Sequence, residues 1–407
     1  MDSVERTRLR PMVLRTAALV LVGAAAVQAQ SPTGSAAPEA PGPPGWVFTP
    51  GFAAGGAWDD NVLLRGPGHQ GPGDYVSPLS PSATLEYRGR RTRFSTGYEG
   101  SFLVYHTLEE LNSFDQQAHA RFDRRATRRL SFFAEDQLTI APATDLLQLA
   151  GVPFYRIGSR VNAAGGGVEL IATRHLAVRG LYTLRSVAFE PAAAELTRNL
   201  RGGHEHEVLV AVTQALSPRL ALGAEYDLRR ARIADLPDPV TIQGGSGVAT
   251  YQLAPALAVR VGAGYASLSG GLIDERRRGP TWQAGLTHTG RRAVISATYR
   301  RTYIPSFGFG GTFQNEEWQA AVRIPFAADR AYIDGSIAWH DNDPLNAGEP
   351  SLRTLWASAS VGYALARWLR LEGYYRRTEQ DTQRAGGRLG RHTLGFRVIT
   401  ARPIPLR

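Results

Sequence analysis

From Trp46 onward, apolar and polar side chains alternate with a period of two, segment after segment. The clearest example is the stretch around the third segment, where Phe94, Thr96, Tyr98, Gly100, Phe102 and Val104 interleave with Ser95, Gly97, Glu99, Ser101, Leu103 and Tyr105. One such face suits lipid and the other water. Leu222, Ala224 and Tyr226 oppose Glu225, Asp227 and Arg229 in the same way, and Leu371, Gly373 and Tyr375 oppose Arg370, Glu372 and Arg376. The pattern predicts eighteen strands, at 46–58, 75–87, 91–105, 111–124, 129–140, 159–172, 176–190, 204–215, 219–233, 240–253, 257–268, 281–289, 292–304, 312–326, 331–341, 352–365, 368–380 and 388–400. No amphipathic helical stretch of useful length competes with them.

The connections sort by length. Short links at 88–91, 125–128, 173–175, 217–219, 254–256, 290–292, 327–330 and 366–367 alternate with longer ones such as 59–74, 141–158, 191–203 and 269–280. Period two alone does not separate a two-sheet sandwich from a membrane barrel. Short turns on one side, long loops on the other, and strands of about 10 to 15 residues favour the barrel. The expected fold is therefore all-β: a transmembrane antiparallel outer-membrane β-barrel of about eighteen strands, with sixteen as the alternative, short periplasmic turns and long extracellular loops. Trp46, Tyr87, Tyr105, Tyr251, Trp282, Tyr303, Trp339 and Trp368 fall near strand ends, where interfacial aromatic girdles sit.

Composition sharpens this picture at the N-terminus. Arg6, Arg8, Arg10 and Arg15 precede the apolar run 16–27, and Val27-Gln28-Ala29 offers small residues for cleavage, so 1–29 reads as a secretory signal peptide. After it the chain has no apolar run long enough for a helical span, and it contains no Cys. Residues 30–45, rich in Pro, Ala, Gly and Ser, read as a disordered periplasmic tail, leaving 46–407 for the barrel. The net charge of +10 is carried by Arg without any Lys. With an export signal in front, that excess points away from nucleic acid and towards composition bias plus arginines that meet lipid phosphates at the turns.

An eighteen-strand wall encloses more than side chains can fill, leaving an aqueous channel. Under the strand register, its acidic lining comprises Glu99, Asp115, Asp123, Glu135, Glu225, Asp227, Asp334 and Glu372, joined by Glu205 and Glu207. Its basic lining comprises Arg121, Arg179, Arg185, Arg229, Arg260, Arg300, Arg376 and Arg397, with His119 among them. Acids crowd the N-terminal half and arginines the C-terminal half. Two readings follow: opposite walls of opposite charge with a transverse field, or charges that pair across neighbouring strands and hold the wall together. Loops 141–158 and 269–280 are the candidates to fold inward and narrow the bore.

Catalytic and metal chemistry find little support. His204 and His206 point one way in a strand while Glu205 and Glu207 point the other, so they make no common ligand set. Asp59-Asp60-Asn61 lacks the spaced donors of a calcium loop. His119 near Asp115 and Asp123 has no nucleophile motif beside it. No cofactor is expected.

The opening stretch resembles a known family. Trp58-Asp59-Asp60-Asn61-Val62, Ser77-Pro78, Leu85-Glu86-Tyr87-Arg88, Tyr105, Leu111-Asn112 and Arg129-Leu130-Ser131 are similar to the β-barrel porin 2 family, over about the first quarter of the mature chain. Related barrels accompany exopolysaccharide synthesis and secretion. The resemblance thus implies an outer-membrane porin exporting an exopolysaccharide or capsular polymer, helped by a periplasmic polysaccharide export protein and inserted by the barrel assembly machinery, amid outer-membrane lipid and lipopolysaccharide. The alternative is a general or solute-selective porin for small hydrophilic solutes; an outer-membrane hydrolase is the remaining alternative. The chain ends Pro403-Ile404-Pro405-Leu406-Arg407, not on the aromatic residue usual for barrel assembly.

Overall fold

The computed structural model describes residues 44–66, 71–191, 200–346, 348–382 and 387–406. The expected signal segment and the tail as far as residue 43 lie outside the described residues, and Gly45 already belongs to the first strand. The strands are β1 Gly45–Asp59, β2 Asp74–Arg88, β3 Thr92–Tyr105, β4 Ser113–Arg125, β5 Leu130–Ala141, β6 Ser159–Ile171, β7 Leu176–Phe189, β8 Gly203–Ala215 and β9 Leu220–Ile233. They continue as β10 Val240–Ala254, β11 Leu257–Gly270, β12 Ile273–Thr289, β13 Val294–Pro305, β14 Thr312–Phe326, β15 Ala331–Pro344, β16 Leu352–Ala366, β17 Leu369–Thr382, β18 Arg388–Ala401 and the short β19 Ile404–Leu406.

Each strand pairs antiparallel with the next, and the ring closes where β18 meets β1, from Gly51 opposite Ala401 to Asp59 opposite Thr393. Pro403 has no N–H to give the ladder, so the last strand breaks there and resumes as β19 opposite Phe48 to Trp46. The wall is thus a closed barrel of eighteen strands, the last in two pieces. Closure pairs the backbone of every strand on both sides, which a strand in hydrocarbon requires.

Alternation decides which face meets what. Phe52, Leu79, Phe102, Val210, Ile337, Val361, Leu394 and Phe396 all point outward and are exposed, the last two at 64%. Such a continuous apolar belt is the surface a bilayer covers. Three of the short turns share one chemistry. The hydroxyl of Thr127, Thr173 or Ser217 accepts hydrogen bonds from the backbone N–H groups two and three residues later, which closes the turn before the following Leu.

Beyond shifts of strand ends, the pattern departs from expectation in two places. Glu109–Leu111 is a 3-10 turn, so β4 starts at Ser113 rather than at 111. The segment 269–280, a long connection and a candidate to fold inward, is a strand hairpin: β12 runs from Ile273, with Leu268 opposite Arg277 and Ser267 opposite Arg278. Gly270 and Gly271, at φ 84° and 66°, supply the left-handed backbone of its tight turn. The Gly-Gly pair and the charged run after it read as a loop because this hairpin projects beyond the apolar belt, where strands need no apolar face. Tyr105 and Tyr303, expected in the girdles, are buried instead.

Candidate functional site

The lumen holds a cavity of about 2440 Å³ that reaches from the turns, at Arg90, Arg125, Arg174 and Arg219, to loop residues Asp145, Leu146 and Gln148. What ends it at the loop side is the connection between β5 and β6, residues 142–158. In a ring of eighteen strands, β14 and β15 stand nine places from β5 and β6, and the loop crosses to that side.

Its fastening can be followed atom by atom. The loop closes on itself through Thr144, whose Oγ1 donates to the Pro153 carbonyl at 2.7 Å and accepts from the Tyr155 N–H at 2.7 Å. At the tip, the Gln380 side chain of β17 accepts from the Phe154 N–H at 2.8 Å and donates to the Val152 carbonyl at 3.0 Å. Ser306 donates to the Gly151 carbonyl at 3.2 Å, and Phe313 of β14, fully buried, packs beside Gly151. The Trp356 indole of β16 donates to the Asp145 carbonyl at 3.0 Å and its ring lies 5.6 Å from that of Phe154. Near the loop's return, the Arg156 guanidinium donates to the carbonyls of Val62 and Leu111, at 3.2 and 2.8 Å, and lies over the Tyr105 ring.

One ion cluster ties the crossing loop to the barrel seam. Arg391 on β18 contacts Asp59 at the end of β1 at 2.6 Å and Asp145 of the loop at 2.9 Å, with all three side chains almost wholly buried. The Asp59-Asp60-Asn61 stretch is thereby explained as a fastening of the seam. Asp60 accepts from the His392 N–H at 2.6 Å, and the Asn61 amide donates to the Gly390 carbonyl and to the Arg65 carbonyl, both at 2.8 Å. Trp58 meets Tyr75 edge-on on the outward face, the ring centroids 4.8 Å apart. Among the described residues, no group of three His, Asp or Glu side chains is placed to hold a metal ion.

Glu99, Asp115, Asp123, Glu225, Asp227, Arg121, Arg179, Arg229, Arg260, Arg300, Arg376 and Arg397 line the cavity. Glu135, Glu205, Glu372 and Asp334 share the inward face through their partners. Arg121 bridges Asp123 at 2.9 Å and Glu135 at 2.6 Å, Arg185 meets Glu205 at 2.7 Å, and Arg229 meets Glu207 at 3.0 Å and Asp227 at 3.1 Å. Arg260 meets Glu225 at 2.6 Å, Arg397 meets Glu372 at 2.6 Å, and Arg323 stands 3.7 Å from Asp334. Most lumen charges therefore pair along or across neighbouring strands. That arrangement agrees with the second of the two readings, charges that pair and hold the wall together, because a charge neutralised at contact distance projects little field across the bore. Arg300 and Arg376 line the cavity with no carboxylate contact among the described residues, Arg376 lying over the Tyr374 ring at 5.3 Å. His119 faces inward with Asp115 and Asp123, but no hydrogen bond joins the three among the described residues.

Asp145, Gln380, Trp356, Arg156 and Arg391 escaped the sequence reading. The register already places Trp356, Gln380 and Arg391 on the inward face; what it lacks is the partner, which is a loop more than two hundred residues away in the chain.

No family model matches the chain, and no curated protein matches it. The resemblance of the opening stretch to the β-barrel porin 2 family thus has no family-model match beside it. Solved structures similar to the chain include Acinetobacter baumannii OccAB4, at 7% identity and a TM-score of 0.45, over 88% of this chain and 98% of that one. Pseudomonas aeruginosa OpdO, at 12% identity and a TM-score of 0.44, matches over 89% and 98%. Pseudomonas aeruginosa OccK2 (OpdF), solved in complex with glucuronate, matches at 12% identity and a TM-score of 0.44 over 89% and 98%.

Proposed function

We propose that this protein is a non-catalytic outer-membrane channel for passive entry of small hydrophilic solutes, with anions passing more readily than cations. The observation that carries this reading is the polar cavity of about 2440 Å³ inside a closed, apolar-belted barrel, narrowed by the pinned loop 142–158. Arginines at the turn-side mouth (Arg90, Arg91, Arg93, Arg124, Arg125, Arg174 and Arg219) and Arg300 and Arg376 within raise the local concentration of anions. The turns face the periplasm in this reading and the long loops face outside.

Export of an exopolysaccharide, implied by the resemblance, fits less well. A polymer needs a continuous bore, and the crossing loop stands in it, held by Gln380, Trp356 and Arg391 together. The test is planar-bilayer recording of the refolded chain under a KCl gradient, paired with liposome swelling in sugars of increasing size. Small steady conductance, a reversal potential on the anion side and passage of small sugars alone are expected. Cation preference, or long oligosaccharides entering as fast as monosaccharides, would overturn the reading.

A further inference from the structure

The outer face of the barrel carries a cationic block that the channel reading leaves without a role. On β8 and β9, His204 and His206 stand directly opposite Arg232 and Arg230, and all four are exposed on the outward side. Their neighbours in the chain, Glu205, Glu207, Arg229 and Ala231, point inward. The outward positions next along the same strands are Val208, Val210 and Val212, and Leu228, Tyr226 and Ala224. The block therefore sits at the loop-side margin of the apolar belt, at the depth of lipid headgroups.

Two features make it unusual. Arg230 and Arg232 lie two residues apart on one face of β9, with an imidazole rather than a carboxylate opposite each, so their two positive charges are left to solvent or a ligand. None of the four meets a carboxylate among the described residues: the side-chain contacts of the block are the Tyr182 hydroxyl on His206 Nδ1 at 2.8 Å and the two imidazoles 5.6 Å apart. Elsewhere on the outer face several arginines at this margin are neutralised, Arg301 by Glu316, Arg353 by Asp341, and Arg377 and Arg388 by Glu379, while Arg160 stands alone on β6 with no carboxylate contact among the described residues. What sets β8 and β9 apart is the clustering: two arginines without a carboxylate contact among the described residues, with a histidine opposite each. Arg278 on β12, also outward and exposed, extends the same sector across β10 and β11.

We propose that His204, His206, Arg230 and Arg232 form a binding site for the phosphate groups of a phosphorylated glycolipid in the outer leaflet of the surrounding membrane. A phosphate monoester brings close to two negative charges and acceptor oxygens, which the forked guanidinium groups receive in pairs. Its acyl chains lie against Val208, Val210 and Leu228 below, so one lipid satisfies the charge and covers the apolar wall together. The proposal rests on the membrane placement given above but on no property of the lumen.

The test is native mass spectrometry of the full chain in detergent, titrated with diphosphoryl lipid A, dephosphorylated lipid A or inorganic phosphate. The wild-type chain is expected to retain a diphosphoryl lipid A adduct that Arg230→Gln/Arg232→Gln binds at least about tenfold more weakly, given two lost charge-assisted contacts. Arg353→Gln, from the neutralised sector, is expected to behave as wild type. His204→Gln/His206→Gln serves as the second variant if the arginine pair fails to fold, judged by heat-modifiable migration. Equal retention by the variants, equal binding of the dephosphorylated lipid, or saturation by free phosphate at the same concentration would overturn the proposal. So would the appearance of monomers from a wild-type oligomer in the arginine variant, which would assign the block to a second copy of the chain. Conductance recorded on the same preparations reads the channel separately, so failure of either result leaves the other standing.

Discussion

Replacing Arg391 with Ala removes the cation shared by Asp59 and Asp145, which are 2% and 1% exposed. Two carboxylates would then be buried with no counter-charge, and stripping one partner from such a buried cluster costs about 3–5 kcal/mol. The eighteen-strand ladder does not depend on the cluster, so the barrel is expected to stay closed and the cost to fall on the loop. Undocking lets Asp145 reach water, at the expense of the Gln380 bonds to Val152 and Phe154 and the Trp356 bond to the Asp145 carbonyl. With the Ser306 bond to Gly151 and the two Arg156 bonds, the six total about 6 kcal/mol at about 1 kcal/mol net each, slightly above the penalty. Loop 142–158 in Arg391→Ala should therefore be released for a detectable minority of the time. Single-channel records should show larger, noisier openings, and trypsin should cut after Arg156, whose side chain is now occupied with Val62 and Leu111. Adding Asp59→Asn and Asp145→Asn removes the stranded charge and should restore most of the quiet, narrow state. A folded Arg391→Ala barrel with wild-type conductance and a trypsin-resistant loop would refute the reasoning.

Gln380→Ala alone should free the tip while leaving the ion cluster, costing about 1–3 kcal/mol locally and raising hydrogen exchange at Phe154 without changing barrel melting. Gly151→Ala puts a side chain at φ 75° with its Cβ 3.1 Å from the Phe313 ring, and should destabilise the docked loop by about 1–2 kcal/mol, read as an increase in open-channel noise. Val210→Arg, on the lipid-facing side, should weaken folding into bilayers by about 2–4 kcal/mol in a reversible denaturant titration, whereas the same change on an inward position should not. Arg300→Glu with Arg376→Glu should shift the reversal potential towards cations at unchanged expression and melting; an unmoved potential would remove the lumen arginines from the account of selectivity.

Much of the wall was legible in the chain because each of its determinants is local. Period-two alternation sets the outward and inward faces of a strand, and a one-residue slip would invert them all, so assigning Phe102 outward and Glu99 inward needed nothing beyond neighbours in sequence. Alternating short and long connections gave the meander, and the three hydroxyl-closed turns at Thr127, Thr173 and Ser217 show why the short ones are short. Where local signals fail, the strand has left the environment that writes them. The stretch of β12 before Pro280 projects beyond the belt, pairs on one side, and carries a loop-like composition.

The site itself belonged to the tertiary structure. Arg391, Asp59 and Asp145 stand far apart in the chain, and no spacing or motif announces that they share one buried cluster. Nor does alternation say whether an inward Arg260 reaches Glu225 two strands away or faces an empty bore, since that depends on rotamers and on cross-strand stagger. The sequence by itself determined an antiparallel, belted wall of about eighteen strands, because a strand's faces and turns are written in its own residues. Only closing the ring brought the β5–β6 connection against β14 to β18 and turned an open cylinder into a narrowed one, because contacts across a barrel's diameter have no local signature.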